Sequence, residues 1–283
     1  MTGIIDAGTI RSAAVVLGAT GEAGRGVVQA LAEAGRGVVA VAPDAAALRA
    51  LAEAHPRAVL ATLPARIAGD ADAAALASRL RALGIAVDGV VAALAGTHPC
   101  GRLIDEPAEV LQRTLDEDLL PHLFAARHLF PLLSPDAAGY VLVGGPGGTY
   151  PWAGYGHCSI AAAALRMMAR VLHDEAARRG LRVQLLSPDA PLRVDAEAAR
   201  AGRASAQALS LGRRAQALLD GGRHAVAPPI VEFPTADGPP RRTARSEVPA
   251  HDVLPARDLR AARVLLDSIA SPTPPGHVHD EHC

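Results

Sequence analysis

Neither lysine nor asparagine occurs anywhere in the 283 residues, and all 28 strongly basic side chains are arginine. Arginine replaces lysine at little cost on a surface. At a catalytic position it does not, because guanidinium stays charged and has a different shape. The accompanying excess of alanine has the look of GC-rich coding, a mutational bias and not a functional signal. Phe, Trp and Tyr are scarce, so the hydrophobic half of the chain is mostly Ala, Val and Leu. The net charge is −1 with no basic stripe, which argues against nucleic acid or an anionic membrane as a general partner. No apolar run approaches the roughly 20 residues that span a bilayer, and the N-terminus lacks the basic start and apolar run of a signal peptide. Three widely spaced cysteines, Cys100, Cys158 and Cys283, argue for reduced thiols and a cytoplasmic location.

What is present is an alternation. Apolar β-type runs at 13–17, 37–42, 58–63, 87–94, 140–143 and 181–186 are separated by helical stretches at 23–34, 45–54, 72–83, 106–133 and 156–179. Near-continuous apolar strands between helices predict a parallel sheet covered on both faces. Right-handed crossovers then give a doubly wound α/β fold of the Rossmann type, a single domain over residues 1–235. Residues 196–219 read as one more helix, and 225–233 as a last edge strand despite Pro228 and Pro229. The remainder, 236–283, reads as a C-terminal extension: a Pro-rich linker, a short helix at 256–270 and a disordered tail.

The first strand runs into Gly18-Ala19-Thr20-Gly21-Glu22-Ala23-Gly24 and a helix. In that context Gly18 makes a tight turn, Gly21 lets backbone approach a phosphate, and Gly24 lets helix and strand pack closely. The helix N-terminus then offers N–H groups to a pyrophosphate. A dinucleotide is the expected ligand, NAD or NADP. Asp44 follows the second strand too late for an unambiguous ribose acid and reads as a helix cap, while Arg25 and Arg49 are candidates for a 2′-phosphate.

Residues 12 to about 235 resemble a short-chain dehydrogenase/reductase. The glycine turn is similar to that family's motif in the spacing of its extended and atypical branches. Asp70-Ala71 stands where the family sets an Asp against adenine, and Ala95-Gly96 is the surviving half of its Asn-Asn-Ala-Gly after the fourth strand. The resemblance implies four catalytic positions, a Ser, a Tyr, a Lys and an Asn. Tyr155 fits the Tyr, but Ser159 stands for Lys, Asp118 for Asn, and the loop 144–149 contains no Ser. In the family, Lys⁺ lowers the tyrosine pKa and holds the nicotinamide ribose. Without it a tyrosine keeps a pKa of roughly 10, able to donate a proton but poor as a base.

Three functions remain open at this point. One is an NAD(P)-dependent oxidoreductase of a small carbonyl or alcohol substrate, with Tyr155 as acid and backbone N–H groups of 144–148 as oxyanion donors. Another is a non-redox dehydratase, isomerase or cyclase using Asp118 and Tyr155. The third is a silent nucleotide-binding scaffold. In each, Ser159 lies one helical turn from Tyr155 on the same face. The resemblance also implies a homodimer or homotetramer through helices 106–133 and 156–179. The tail donors His277, His279, His282 and Cys283 read as an incidental polar end, and His98 and Cys100 as weaker still, so no metal is expected.

Overall fold

In the computed structural model, residues 10–133, 139–221 and 227–235 are described. The chain divides after Pro240, and the expected helix 256–270, the tail donors and nearly all of the linker lie outside the described residues.

The apolar runs form seven parallel strands: β1 (Ser12–Leu17), β2 (Val38–Ala42), β3 (Leu60–Pro64), β4 (Ala86–Ala92), β5 (Tyr140–Val143), β6 (Val183–Pro188) and β7 (Ile230–Phe233). Their order is β3-β2-β1-β4-β5-β6-β7. The order reverses between β1 and β4, where Leu17 pairs with Ala92. Helices α1 (Glu22–Glu33), α2 (Ala45–Ala54), α3 (Asp70–Ala82), α4 (Ala108–Asp118), α5 (Leu120–Leu129), α6 (Gly156–Ala177), α7 (Ala196–Arg200) and α8 (Ala206–Asp220) provide the crossovers. Alternation along each strand divides the core into two layers. Ala13, Val15 and Leu17 face the layer beneath α3, α5 and α6, and Ala14 and Val16 face the layer beneath α1, α2 and α8.

Two expected helices are each broken. The stretch 106–133 divides at Leu119, because Pro121 lies in the first turn of α5 and its ring cannot sit inside a continuous helix. A 3-10 turn, Phe130–Leu132, follows. The stretch 196–219 divides at Gly202, whose φ of +70° closes α7 before Ser205 caps α8 through the Ala208 N–H at 3.2 Å. The last strand is shorter than expected and begins after Pro228 and Pro229, at the sheet edge.

Between α1 and α8 the backbones touch. A methyl group at Gly26 would run into the carbonyl of Ala208, and one at Gly212 into the carbonyl of Gly26. Glycine inside a helix costs stability of its own, so the pair marks a crossing that only bare backbone allows.

Candidate active site

The ends of β1 and β4 diverge into a cleft of about 660 Å3 at the C-terminal edge of the sheet, the crevice where doubly wound folds hold ligands. Gly18 turns with φ +72°, and a side chain there would collide with the Ala93 carbonyl. Gly24 lies against Gly18 O so closely that a methyl would not fit, which seats α1 directly on the turn. Gly21 is the N-cap of α1, and no side chain caps this end. Its first N–H groups therefore remain for an anion. The cradle fits a dinucleotide pyrophosphate.

Gly18, Thr20, Gly21, Ala95 and Gly96 line the cleft. Glu22, Ala23 and Gly24 open α1 behind it. Glu22 forms an ion pair with buried Arg25 and accepts the Ser205 N–H at 3.3 Å, so Arg25 is turned inward and is no 2′-phosphate ligand. Asp44 caps α2 through the N–H groups of Ala46 and Ala47, at 2.7 and 3.2 Å. Asp70 and Ala71 stand outside the lining. Asp70 sits 3.0 Å from His128 and 3.5 Å from Arg127 on α5, and Asp72 caps α3 instead. The cations that do line the cleft are Arg66, after β3, and Arg113, on α4. Sequence gave no periodic signal for Arg66. Its position just beyond a strand's C-terminal end was the available clue.

Tyr155 is the N-cap residue of α6 and stacks on Trp152, ring centroids 4.0 Å apart and 20° between planes. Its hydroxyl is in hydrogen-bonding reach of Cys100, whose loop is fastened by the Gly101 N–H to Gly154 O at 2.8 Å. The neighbouring Cys100 thiol, which disfavours a second negative charge beside it, and then burial, hold the Tyr155 hydroxyl above its ordinary range. The direction is opposite to that produced by a neighbouring ammonium. Ser159 is buried and serves the backbone: it accepts the Trp152 N–H at 2.9 Å and donates to Tyr155 O at 3.1 Å. It fastens the turn that presents Tyr155.

The break at Leu119 leaves Asp118 at the end of α4, where it accepts the Gly96 N–H at 2.6 Å and meets His98 Nε2 at 2.9 Å. Cys158 lies beside them, its thiol pushed up to about 11 by burial and by Asp118. Donor atoms of His98, Asp118 and Cys158 all fall within 4.8 Å of one another. His157 is 1% exposed, meets the His98 ring edge-on at 5.9 Å, and has no hydrogen-bond partner at either nitrogen. Thus the structure gathers two groups, Tyr155 with Cys100 and Asp118 with His98 and Cys158. Ser159 and Asp118 each serve other partners than the Tyr155 hydroxyl. His98 and Cys100 could have been singled out more strongly, as polar residues in a loop directly beyond a central strand.

The family model described as enoyl-(acyl carrier protein) reductase matches residues 18–218, most of the chain. The chain is a short-chain dehydrogenase/reductase. A search of curated proteins finds no match. Solved structures of the family superimpose well at low identity. A short-chain dehydrogenase from Streptomyces avermitilis is 18% identical with TM-score 0.65, covering 92% of this chain and 97% of that one. A metagenomic short-chain oxidoreductase in complex with NADP is 17% identical with TM-score 0.67, covering 80% and 97%. An NADPH-bound short-chain oxidoreductase from Pseudomonas aeruginosa PAO1, described as containing an atypical catalytic center, is 20% identical with TM-score 0.67, covering 80% and 96%. Among the described residues, no helix is long and apolar enough to cross a membrane.

Proposed function

We propose that this family member is an NAD(P)-dependent oxidoreductase that works chiefly as a reductase, on a small carbonyl substrate, with Tyr155 as proton donor. The observation that carries the reading is the environment of Tyr155. Cys100 stands beside the hydroxyl and raises its pKa, the opposite of the phenolate-favouring effect of the family's lysine, so the tyrosine stays protonated at neutral pH. A protonated tyrosine can give a proton to a developing alkoxide, whereas taking one from an alcohol is much harder. The cofactor's pyrophosphate would rest on the turn Gly18–Gly24, and when bound the nicotinamide supplies the hydride.

Arg66 supports a preference for NADP(H). It borders the cleft beside Ala42 and Pro43, where the adenosine end of a dinucleotide belongs, and Asp44, the acid nearest that position in sequence, is engaged as a helix cap. A smaller cavity of about 270 Å3, between Gly147–Tyr150 and Ser187–Asp189, is of a size for a small substrate. Asp118 orients His98 in this reading and is not a free base, which makes a non-redox acid–base enzyme the weaker alternative.

Exposed Ile160, Met167 and Val171 on α6 and Leu123 on α5 form apolar surface suited to a two-fold partner, in keeping with a homodimer or homotetramer. Reduced Cys100 and Cys158 suit the cytoplasm.

The test is Tyr155→Phe, assayed in both directions over a panel of small aldehydes, ketones and alcohols. Reduction should fall by about 10²–10⁴-fold with dinucleotide affinity by calorimetry unchanged, and wild-type reduction should outrun oxidation at neutral pH. Undiminished turnover in Tyr155→Phe would remove this centre.

A further inference from the structure

We propose that His98, Asp118 and Cys158, together with His157, form a binding site for a divalent transition metal of the zinc type. The three donors come from three separate elements: the loop after β4, the last residue of α4 and the first turn of α6. Their ligand atoms already lie within 4.8 Å of one another. An imidazole nitrogen, a carboxylate oxygen and a sulfur make a set that suits zinc and its neighbours, and that magnesium or calcium, which take oxygen ligands, do not favour.

The separations suit an ion as well. Two ligands at zinc bond lengths and a tetrahedral angle stand about 3.3 Å apart. His98 Nε2 and Asp118 Oδ1 are at 2.9 Å, a few tenths of an ångström short of that spacing, with the Cys158 sulfur within 4.8 Å of both.

A second observation is independent of the cluster. His157 is 1% exposed and neither of its ring nitrogens has a hydrogen-bond partner. An imidazole in that state has given up water for nothing in return. Its ring lies edge-on to that of His98, centroids 5.9 Å apart. Two imidazoles on one tetrahedral ion have centroids about 5 Å apart; His157 stands near that spacing from His98 but outside the three-donor cluster, so it joins as fourth ligand only by turning its ring toward the ion.

The surroundings are those of ligating groups. A metal-bound histidine gives its other N–H to an oxygen acceptor. His98 Nδ1 has the Thr114 hydroxyl at 3.5 Å and Glu117 Oε2 at 3.9 Å. A ligating carboxylate is itself hydrogen-bonded, and Asp118 accepts the Gly96 N–H at 2.6 Å. The ion would pin the loop after β4 to α4 and α6 and return positive charge to a centre that has no lysine.

The inference stands apart from the redox reading, and its test measures metal and not turnover. Full-length protein stripped with a chelator is titrated with Zn2+ against a chromophoric competitor, and separately with Co2+ while absorption is recorded. One ion per chain should bind, and the cobalt form should show a thiolate-to-cobalt charge-transfer band. Cys158→Ser should abolish that band, and both Cys158→Ser and His98→Gln should weaken zinc binding by more than about 100-fold. Glu117→Gln should weaken it by about 10–100-fold, the range for a group behind a ligand.

The terminal donors are controlled by a full chain carrying His277→Ala, His279→Ala, His282→Ala and Cys283→Ala, which should bind as the wild type does. Circular dichroism establishes that each variant folds. If Cys158→Ser does not fold, His98→Gln and Glu117→Gln decide the matter. Zinc binding that disappears with the terminal substitutions, that survives His98→Gln, or that never competes with the indicator overturns the proposal.

Discussion

Acid should loosen this protein chiefly through a fully buried histidine on α5, with half-buried His55 shifted in the same direction. His122 is fully buried, and its Nε2–H donates to the Leu94 carbonyl at 3.0 Å while Nδ1 faces no partner. Burial lowers its pKa from the ordinary 6.5 to about 4, against the opposing pull of the Leu94 carbonyl and Asp118. In the unfolded chain the ring titrates near 6.5. Between those values the unfolded state binds the extra proton, so stability is intact above pH 6.5 and falls as the pH drops toward 4. Some 2.5 pH units of depression amount to about 3 kcal/mol once both limits are passed.

Urea unfolding at pH 7.5, 6.5, 5.5 and 4.5 would measure this, with His122→Gln as reference. Glutamine keeps an N–H for Leu94 and does not titrate. Carboxylates contribute equally to both proteins, so the difference isolates His122. Wild type should lose about 2–3 kcal/mol relative to the variant over that range. A difference that stays constant with pH would refute the reasoning. Leu94 leads directly into Ala95 and Gly96 on the cleft wall, so dinucleotide affinity should weaken over the same interval.

Two further outcomes are expected. Gly26→Ala should destabilise the fold by about 1–3 kcal/mol, read from the urea midpoint, because its methyl meets the Ala208 carbonyl; a neutral effect would mean that α1 and α8 separate easily. Ser159→Lys should not restore family-type turnover. It removes the acceptor for the Trp152 N–H and should cost about 1–3 kcal/mol, so a lysine variant that is both fast and fully stable would contradict the role given to Ser159.

The doubly wound sheet was legible because its signal is repeated: β1, β2 and β4 are continuous apolar runs, and the glycine turn lies between the first of them and a helix. Pro121 and Gly202 also announce the two helix breaks, but only when their local geometry outweighs the surrounding helical pattern. The centre was legible in part. Tyr155 and Asp118 could be placed from the resemblance, whereas their partners could not, since Cys100 and His98 reach them across tertiary contacts that leave no spacing in the chain. The surroundings of Asp70 were hidden for the opposite reason. An acid at a helix start is a common pattern, and only the packing of α3 on α5 determines that it turns toward His128 and Arg127. Gly26 and Gly212 carried a readable sign, two helical glycines, but nothing in sequence joined them.

That crossing has a consequence for synthesis. The nucleotide cradle begins at residue 18, yet α1 is braced by α8, and Glu22 waits for the N–H of Ser205, 183 residues later. At ordinary translation rates of 5–20 residues per second, about 10–40 s separate the emergence of the turn from that of its support. Through that interval the bare glycines of α1 have no partner backbone, and the dinucleotide site is among the first parts of the protein made and among the last completed.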